Sequence, residues 1–256
     1  MLRKVYDKLP KFIRNIIYAI GKTKFFYDRI TYGMNGLYTR HNSDFMNGER
    51  FKSSFQQACE ITGIDQPSQW KVHVNCWAIK RALNESKGDL VECGVWQGTT
   101  SLAGMMYSGF IEDNQGKKFY LVDSWDGVDM SNLLEGESVD YAKKKKDRYS
   151  GQFSEVEARF GNIKGVTLVK GFVPEVLTEV NPASVSYLHL DMNSAYPEVE
   201  ALKYFWDKLD CGAVIILDDY GFTGHSVQKT ELDKLVFALG SEILTLPTGQ
   251  GLIIKT

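Results

Sequence analysis

The sequence lacks the marks of a secreted, fibrous or membrane-spanning protein. It has four cysteines, at 59, 76, 93 and 211, with no CxxC pair and no zinc-finger spacing. That excludes a disulfide framework and predicts reduced, buried thiols in a cytoplasmic protein. Six prolines are scattered with no Pro/Gly/Ser-rich linker and no internal repeat. No apolar run approaches the roughly 18 residues of a membrane span. The basic N-terminus is interrupted at Arg14 and Asn15 and has no small-residue cleavage site after it, so no secretory signal is expected. A formal net charge of −2 gives no nucleic-acid footprint. There is no GxGxxG, which disfavours a pyrophosphate cradle. At 256 residues the chain can bury roughly 70–75% of its unfolded surface without staples.

What is present is organised around Val185–Tyr220. The apolar run Val185-Ser-Tyr-Leu-His-Leu190 ends on Asp191. A helical stretch follows from about Ala195 to Leu209, with Val199, Leu202, Phe205, Trp206 and Leu209 on one face and Cys211-Gly212 as its stop. A second apolar run, Ala213-Val-Ile-Ile-Leu217, ends on Asp218-Asp219-Tyr220. Two short apolar runs joined by a helix predict a βαβ unit with parallel, doubly buried strands. Ligands of such sheets bind beyond the carboxyl ends of the strands. Asp191, Asp218 and Asp219 should therefore converge there. Crowded carboxylates repel and take up protons unless a cation neutralises them, and an all-oxygen set suits a hard divalent ion such as Mg²⁺.

In chain order, residues 1–40 carry Arg3, Lys4, Lys8, Lys11, Arg14, Lys22, Lys24, Arg29 and Arg40 against only Asp7 and Asp28. Leu9, Phe12, Ile13, Ile16, Ile17 and Ile20 recur at helical spacing, with Pro10 suited to a first turn and Gly21 to the stop. Such a basic amphipathic helix either lies on an anionic membrane surface or packs on the domain or on another subunit of a homo-oligomer. Residues 41–89 read as helical, with Phe51, Phe55, Ala58 and Ile61 on one face, and Val72, Cys76, Ile79 and Leu83 on another. The division expected is a helical extension over 1–69 and a main domain over 70–256.

Leu90-Val91, Glu92-Cys93-Gly94 and Gly98-Thr99-Thr100-Ser101 read as the first βα turn of a Rossmann-like domain. Gly94 allows a tight turn and Gly98 a close approach. Bulky Trp96 between them suits a cofactor without phosphates, such as S-adenosylmethionine, with Glu92 and the turn amides at its charged end. Lys118–Asp123 is a second strand, and Asp123 is placed to accept from ribose hydroxyls, with Ser124-Trp125-Asp126-Gly127 continuing over the cofactor. Residues 128–152 read as a polar lid or insertion, with Lys143–Lys146 on a solvated face. A short helix at Phe153–Phe160 leads to a strand at Val166–Val169, where Gly171-Phe172 would meet an adenine. His189 reads as structural, and His225 as either a base or a helix cap. Glu242–Leu246 and Gly251–Ile254 close the sheet as a hairpin.

Taken together, Val91-Glu-Cys-Gly-Val-Trp-Gln-Gly98, Leu190-Asp191 before a helix, and Ile216-Leu-Asp-Asp-Tyr-Gly221 resemble the TylF-like macrocin O-methyltransferase family over roughly residues 70–254. The resemblance implies an α/β, Rossmann-like class I methyltransferase fold: a mostly parallel twisted sheet with an antiparallel last strand. It also implies S-adenosylmethionine, Mg²⁺ held by Asp191, Asp218 and Asp219, and methylation of a hydroxyl on a sugar or glycosylated small molecule. Asp191 or His225 would take the hydroxyl proton. Asp191-Met-Asn193 departs from the Asp-Gly-Asp pattern of antibiotic-tailoring members, and Asp123-Ser-Trp-Asp-Gly127 from their phenylalanine-containing segment. Ser194 stands where catechol-type relatives have lysine. Two other readings stay open: a metal-dependent phosphohydrolase and a non-catalytic subunit of the same fold.

Overall fold

The computed structural model describes Pro10, Phe12, Ile13, Asn15, Ile16, residues 30–65 and residues 67–256. The chain divides into two units, Met1–Asp44 and Phe45–Thr256. In the first, Phe12, Ile13, Asn15 and Ile16 are helical; the rest of the expected amphipathic helix lies outside the described residues. This unit also holds a hairpin that the helical reading passed over. Strands β1 (Tyr32–Met34) and β2 (Leu37–Thr39) pair antiparallel. Asn35 and Gly36 between them both have positive φ, the Asn-Gly turn whose twist matches a two-residue hairpin.

The second unit is a sheet with helices on both faces. Helices α1 (Glu49–Thr62) and α2 (Gln69–Glu85) precede β3 (Asp89–Cys93). Then come α3 (Thr99–Ser108), β4 (Phe119–Asp123), α4 (Val139–Tyr149), α5 (Phe153–Phe160) and β5 (Val166–Lys170). The chain continues through β6 (Val185–Leu190), α6 (Ala195–Trp206), β7 (Leu209–Leu217), α7 (Ser226–Ala238), β8 (Leu244–Thr245) and β9 (Gly251–Ile254). The strand order is β5-β4-β3-β6-β7-β9-β8. All pairs from β5 to β7 are parallel, and β9 runs antiparallel to both its neighbours. No helix among the described residues is long and apolar enough to cross a membrane.

Strand alternation sorts the core into two layers. Val91, Cys93, Leu188, Leu190, Ile215 and Leu217 face a layer with Leu202 and Phe205 of α6 and Leu232 of α7. Leu90, Tyr187, Val214 and Ile216 face the opposite layer, with Phe51, Phe55 and Ala58 of α1, Cys76 and Ile79 of α2, and Leu102 of α3. Three expectations need correction. Ile61 is 49% exposed; Thr62 takes the buried place, with its hydroxyl 2.9 Å from that of Thr99. Cys211 is exposed, while Cys76 and Cys93 are buried as expected. The helix after Asp191 ends at Trp206, because Leu209 already pairs with Val185 in the sheet; Gly212 lies within β7 rather than stopping the helix.

The sheet order reverses between β3 and β6, since β4 and β5 lie to one side of β3 and β6 and β7 to the other. The register makes Cys93, Leu190 and Leu217 level across three strands. Backbone bonds then run from Asp191 N–H to Cys93 O (2.8 Å) and from Asp218 N–H to Leu190 O (2.9 Å). Gly94, Asp191 and Asp218 are thereby set side by side at the carboxyl edge, the crevice where doubly wound sheets bind ligands.

Candidate functional site

The turn after β3 closes on itself. Gly94 has φ +93°, and a Cβ there would overlap the Asp191 carbonyl, so only glycine lets the two loops touch. Asp123, at the end of β4, does not stand clear of this turn. Its Oδ2 accepts from Val95 N–H (2.6 Å) and Trp96 N–H (2.8 Å), and its Oδ1 accepts from Trp125 N–H (2.7 Å). Trp125 Nε1–H donates to Trp96 O at 2.9 Å. Trp96 and Trp125 both have positive φ, a conformation that bulky side chains hold only where neighbours over-determine it. Burial lifts the Asp123 carboxyl above its usual range despite these three backbone donors. Oδ2 has both lone pairs engaged, while Oδ1, with one donor, still keeps acceptor capacity for a hydroxyl.

The other residues expected around a cofactor are only partly gathered here. Gly98 caps α3 with φ +75°, and a Cβ there would press on the Phe160 ring at 2.5 Å. Thr99 bonds Thr62 as described, and Thr100 is half-buried in the first turn of α3. Gly171 N–H donates to Asp123 O at 2.9 Å, bringing Gly171 and Phe172 beside the turn. The Ser124 hydroxyl donates to Gly127 O at 2.9 Å. Glu92 points the other way: its side chain is 2% exposed, and Oε2 accepts from the Ser101 hydroxyl at 2.7 Å, inside the layer under α3.

The acid cluster faces the same layer. Glu92, His189, Asp191 and Asp218 alternate onto one face, so charged groups line up along the buried side of the sheet. His189 lies with Nδ1 3.5 Å from Glu92 Oε1 and Nε2 3.6 Å from Asp218 Oδ1, beyond good hydrogen-bond reach, so the attraction is through space. Burial alone would lower its pKa; the two carboxylates outweigh burial and hold it up at about 10.

Lys71, from the first turn of α2, supplies a second cation. Its Nζ–H groups donate to Asp218 O (3.0 Å), Asp218 Oδ2 (2.6 Å) and Asp219 Oδ1 (3.4 Å). Gln250 Nε2–H donates to Asp218 Oδ1 at 3.0 Å. Burial opposes ionisation of Asp218, but Lys71 and then His189 outweigh it and hold its carboxyl below the usual range. Asp191 is pushed well up, first by burial and then by Asp218 and Asp219.

A polar relay borders the cluster. Met192 N–H and Gln228 Nε2–H donate to the fully buried Glu198, at 3.0 and 2.6 Å. That fixes the Gln228 amide, so its Oε1, 2.9 Å from His225 Nδ1, accepts the proton on Nδ1. Its Nε2 lies 3.1 Å from the Tyr141 hydroxyl of α4 and 3.5 Å from Asp219 Oδ2. His225 stands at the N-cap position of α7, with no side-chain capping bond. Tyr141, His225, Asn193 and Gly136 line one cleft. Glu137 reaches from residues 128–138 to accept from Ala195 N–H at 3.0 Å, closing that segment over the start of α6.

Sequence reasoning missed Lys71, Gln250, Glu198, Gln228 and Tyr141. Only Lys71 left a trace: with Asn75, it is a polar pair at i, i+4 on a helix whose Val72, Cys76 and Ile79 are buried. Around this edge, Trp96 Nε1, Gln152 Oε1 and Asn193 Oδ1 are buried without a protein partner, the kind of polar atom that a bound polar molecule satisfies.

The fold has known counterparts. The O-methyltransferase NovP superposes with a TM-score of 0.65 at 18% identity, covering 84% of this chain and all of NovP. The calicheamicin methyltransferase CalS11 gives 0.58 at 15% identity, covering 84% and 94%. The S-adenosylhomocysteine-bound methyltransferase PaMTH1 of Podospora anserina gives 0.50 at 16%, covering 84% and 95%. At these identities the likeness is one of fold, and it is the class I methyltransferase fold. No curated protein matches the chain by sequence. The profile of the macrocin-O-methyltransferase (TylF) family matches residues 38–233, most of the chain. The chain thus belongs to the TylF macrocin O-methyltransferase family and is an S-adenosylmethionine-dependent O-methyltransferase.

Proposed function

We propose that the protein methylates a hydroxyl of a sugar or glycosylated small molecule bound in the cleft between α4 and the acid cluster. The observation that carries this reading is the placement of His225 Nε2 in the cleft beside the Tyr141 hydroxyl. That nitrogen lies 3.5 Å from the Asp219 carboxylate, with the ring's tautomer set by Gln228 and Glu198. A base held in this way by a third group is how acyl and methyl acceptors are activated. Further support comes from the neighbours: CalS11 is described as a TDP-rhamnose 3′-O-methyltransferase, and its apo form shares the fold at a TM-score of 0.51.

On this reading the methyl donor lies along the turn at Gly94–Gly98, with Asp123 accepting from its ribose hydroxyls and Gly171-Phe172 against its adenine. The acceptor enters beside Asn193, whose Oδ1 is free to take a hydroxyl proton donor. His225 Nε2 receives the proton as the acceptor oxygen attacks the sulfonium methyl, and Asp191 holds the oxygen in line.

A divalent ion such as Mg²⁺ belongs to the same reading. Asp191, Asp218 and Asp219 would hold it; the ligand atoms of His189, Asp191 and Asp218 already lie within 4.8 Å of one another. The carboxylate oxygens of Asp191 and Asp218 fit a hard ion, the third group within that distance is the His189 imidazole, and Asp219 stands outside that group. A bound ion of this kind lowers a hydroxyl's pKa and offsets alkoxide charge.

The test is methyl transfer from labelled S-adenosylmethionine to a panel of glycosides and sugar nucleotides, with Mg²⁺ or with chelator. Asp191→Asn should cost at least about a hundredfold in turnover with the circular dichroism spectrum unchanged. Full turnover by that variant would remove Asp191 from the site.

A further inference from the structure

We propose that the ammonium of Lys71 is a resident cation of the acid cluster, which a divalent ion must displace to bind Asp218 and Asp219. This rests on the reading of Asp191, Asp218 and Asp219 as a metal-binding set. Lys71 is 11% exposed and lies 147 residues from Asp218 in sequence. Each of its three N–H donors has an acceptor: the Asp218 carbonyl, the Asp218 carboxylate and the Asp219 carboxylate. The Phe222 ring sits 4.5 Å from Nζ and closes another side. An ammonium so satisfied needs no further ligand.

The oxygens it uses are those an ion would use. A magnesium ion needs oxygens at roughly 2.0–2.1 Å in near-octahedral array. Asp218 Oδ2 is 2.6 Å from Nζ, so an ion bound to that oxygen would stand against the ammonium, and two cations that close repel in a site this dry. Asp218 Oδ1 is also engaged, by Gln250 at 3.0 Å. Lys71 starts from the first turn of α2, so its ammonium can leave by side-chain rotation without moving the sheet. The acid cluster is thus held together by protein alone, and its ion affinity is set by the cost of expelling an ammonium.

Mn²⁺ is the probe, titrated calorimetrically into the full-length wild-type chain and into Lys71→Met at one pH. The variant should bind Mn²⁺ at least about tenfold more tightly than wild type. Its thermal midpoint should rise with Mn²⁺ by more than that of wild type. Equal affinities would overturn the role of Lys71 and leave the metal reading standing. Absence of binding to both proteins would overturn both. A wild-type measurement covers the case of a variant that does not fold. Saturating Mn²⁺ should raise reductive methylation of Lys71 several-fold relative to exposed Lys203, read by peptide mass spectrometry. Labelling unchanged with the ion bound would overturn the proposal.

Discussion

Two stretches share one sheet edge and are built in opposite ways. The turn after β3 is held by backbone: three amide donors converge on Asp123, and every partner lies within 28 residues of it in sequence. The acid cluster after β6 and β7 is held by side chains, Lys71 on α2, 147 residues from Asp218, and Gln250 beside β9. The first is a rigid surface against which a molecule can lie. The second is a balance of charges whose members can change partners. On the proposed function, the first seats the methyl donor and the second the acceptor.

The sharpest challenge to this contrast is at the one place where the two stretches touch. Gly94→Ala puts a methyl group into the Asp191 carbonyl at a positive φ; the variant should lose about 4 kcal/mol or more, or fail to fold, in chemical denaturation. Wild-type stability would mean that the two loops are not packed as described. Asp123→Ala leaves three buried amides without an acceptor and should cost about 3 kcal/mol. Its binding of S-adenosylhomocysteine should weaken with it, while Mn²⁺ affinity should not change. If both fell together, the rigid and adjustable halves would be one unit. The smallest effect belongs to Glu137→Ala, which removes the acceptor at the start of α6. A loss of about 1 kcal/mol is expected, with faster hydrogen exchange in residues 128–150 and none near Gly94. Faster exchange in both regions would erase the distinction.

Much of the fold was legible because doubly buried parallel strands read as continuous apolar runs, and Val185–Leu190 and Ala213–Leu217 both proved to be strands. The level placement of Asp191 and Asp218 followed from the same pattern. The insertion was less legible: α4 is polar nearly all round, with Ala142 its one buried residue, so no apolar stripe betrays it. Its start at Ser138, whose hydroxyl accepts from Tyr141 N–H at 3.3 Å, was the available cue. The neutralising charge was legible only in half. Clustered carboxylates do require a cation, but periodicity cannot say that Lys71 and His189 supply part of it, because that depends on which helix covers the edge.

The contact between Tyr141 and His225 has a consequence for timing. The phenol of Tyr141, on α4, lies 3.1 Å from His225 Nε2. On the proposed function, an acceptor hydroxyl that reaches His225 Nε2 takes the place of that phenol. Docking of the acceptor and displacement of the tyrosine side chain then become a single event.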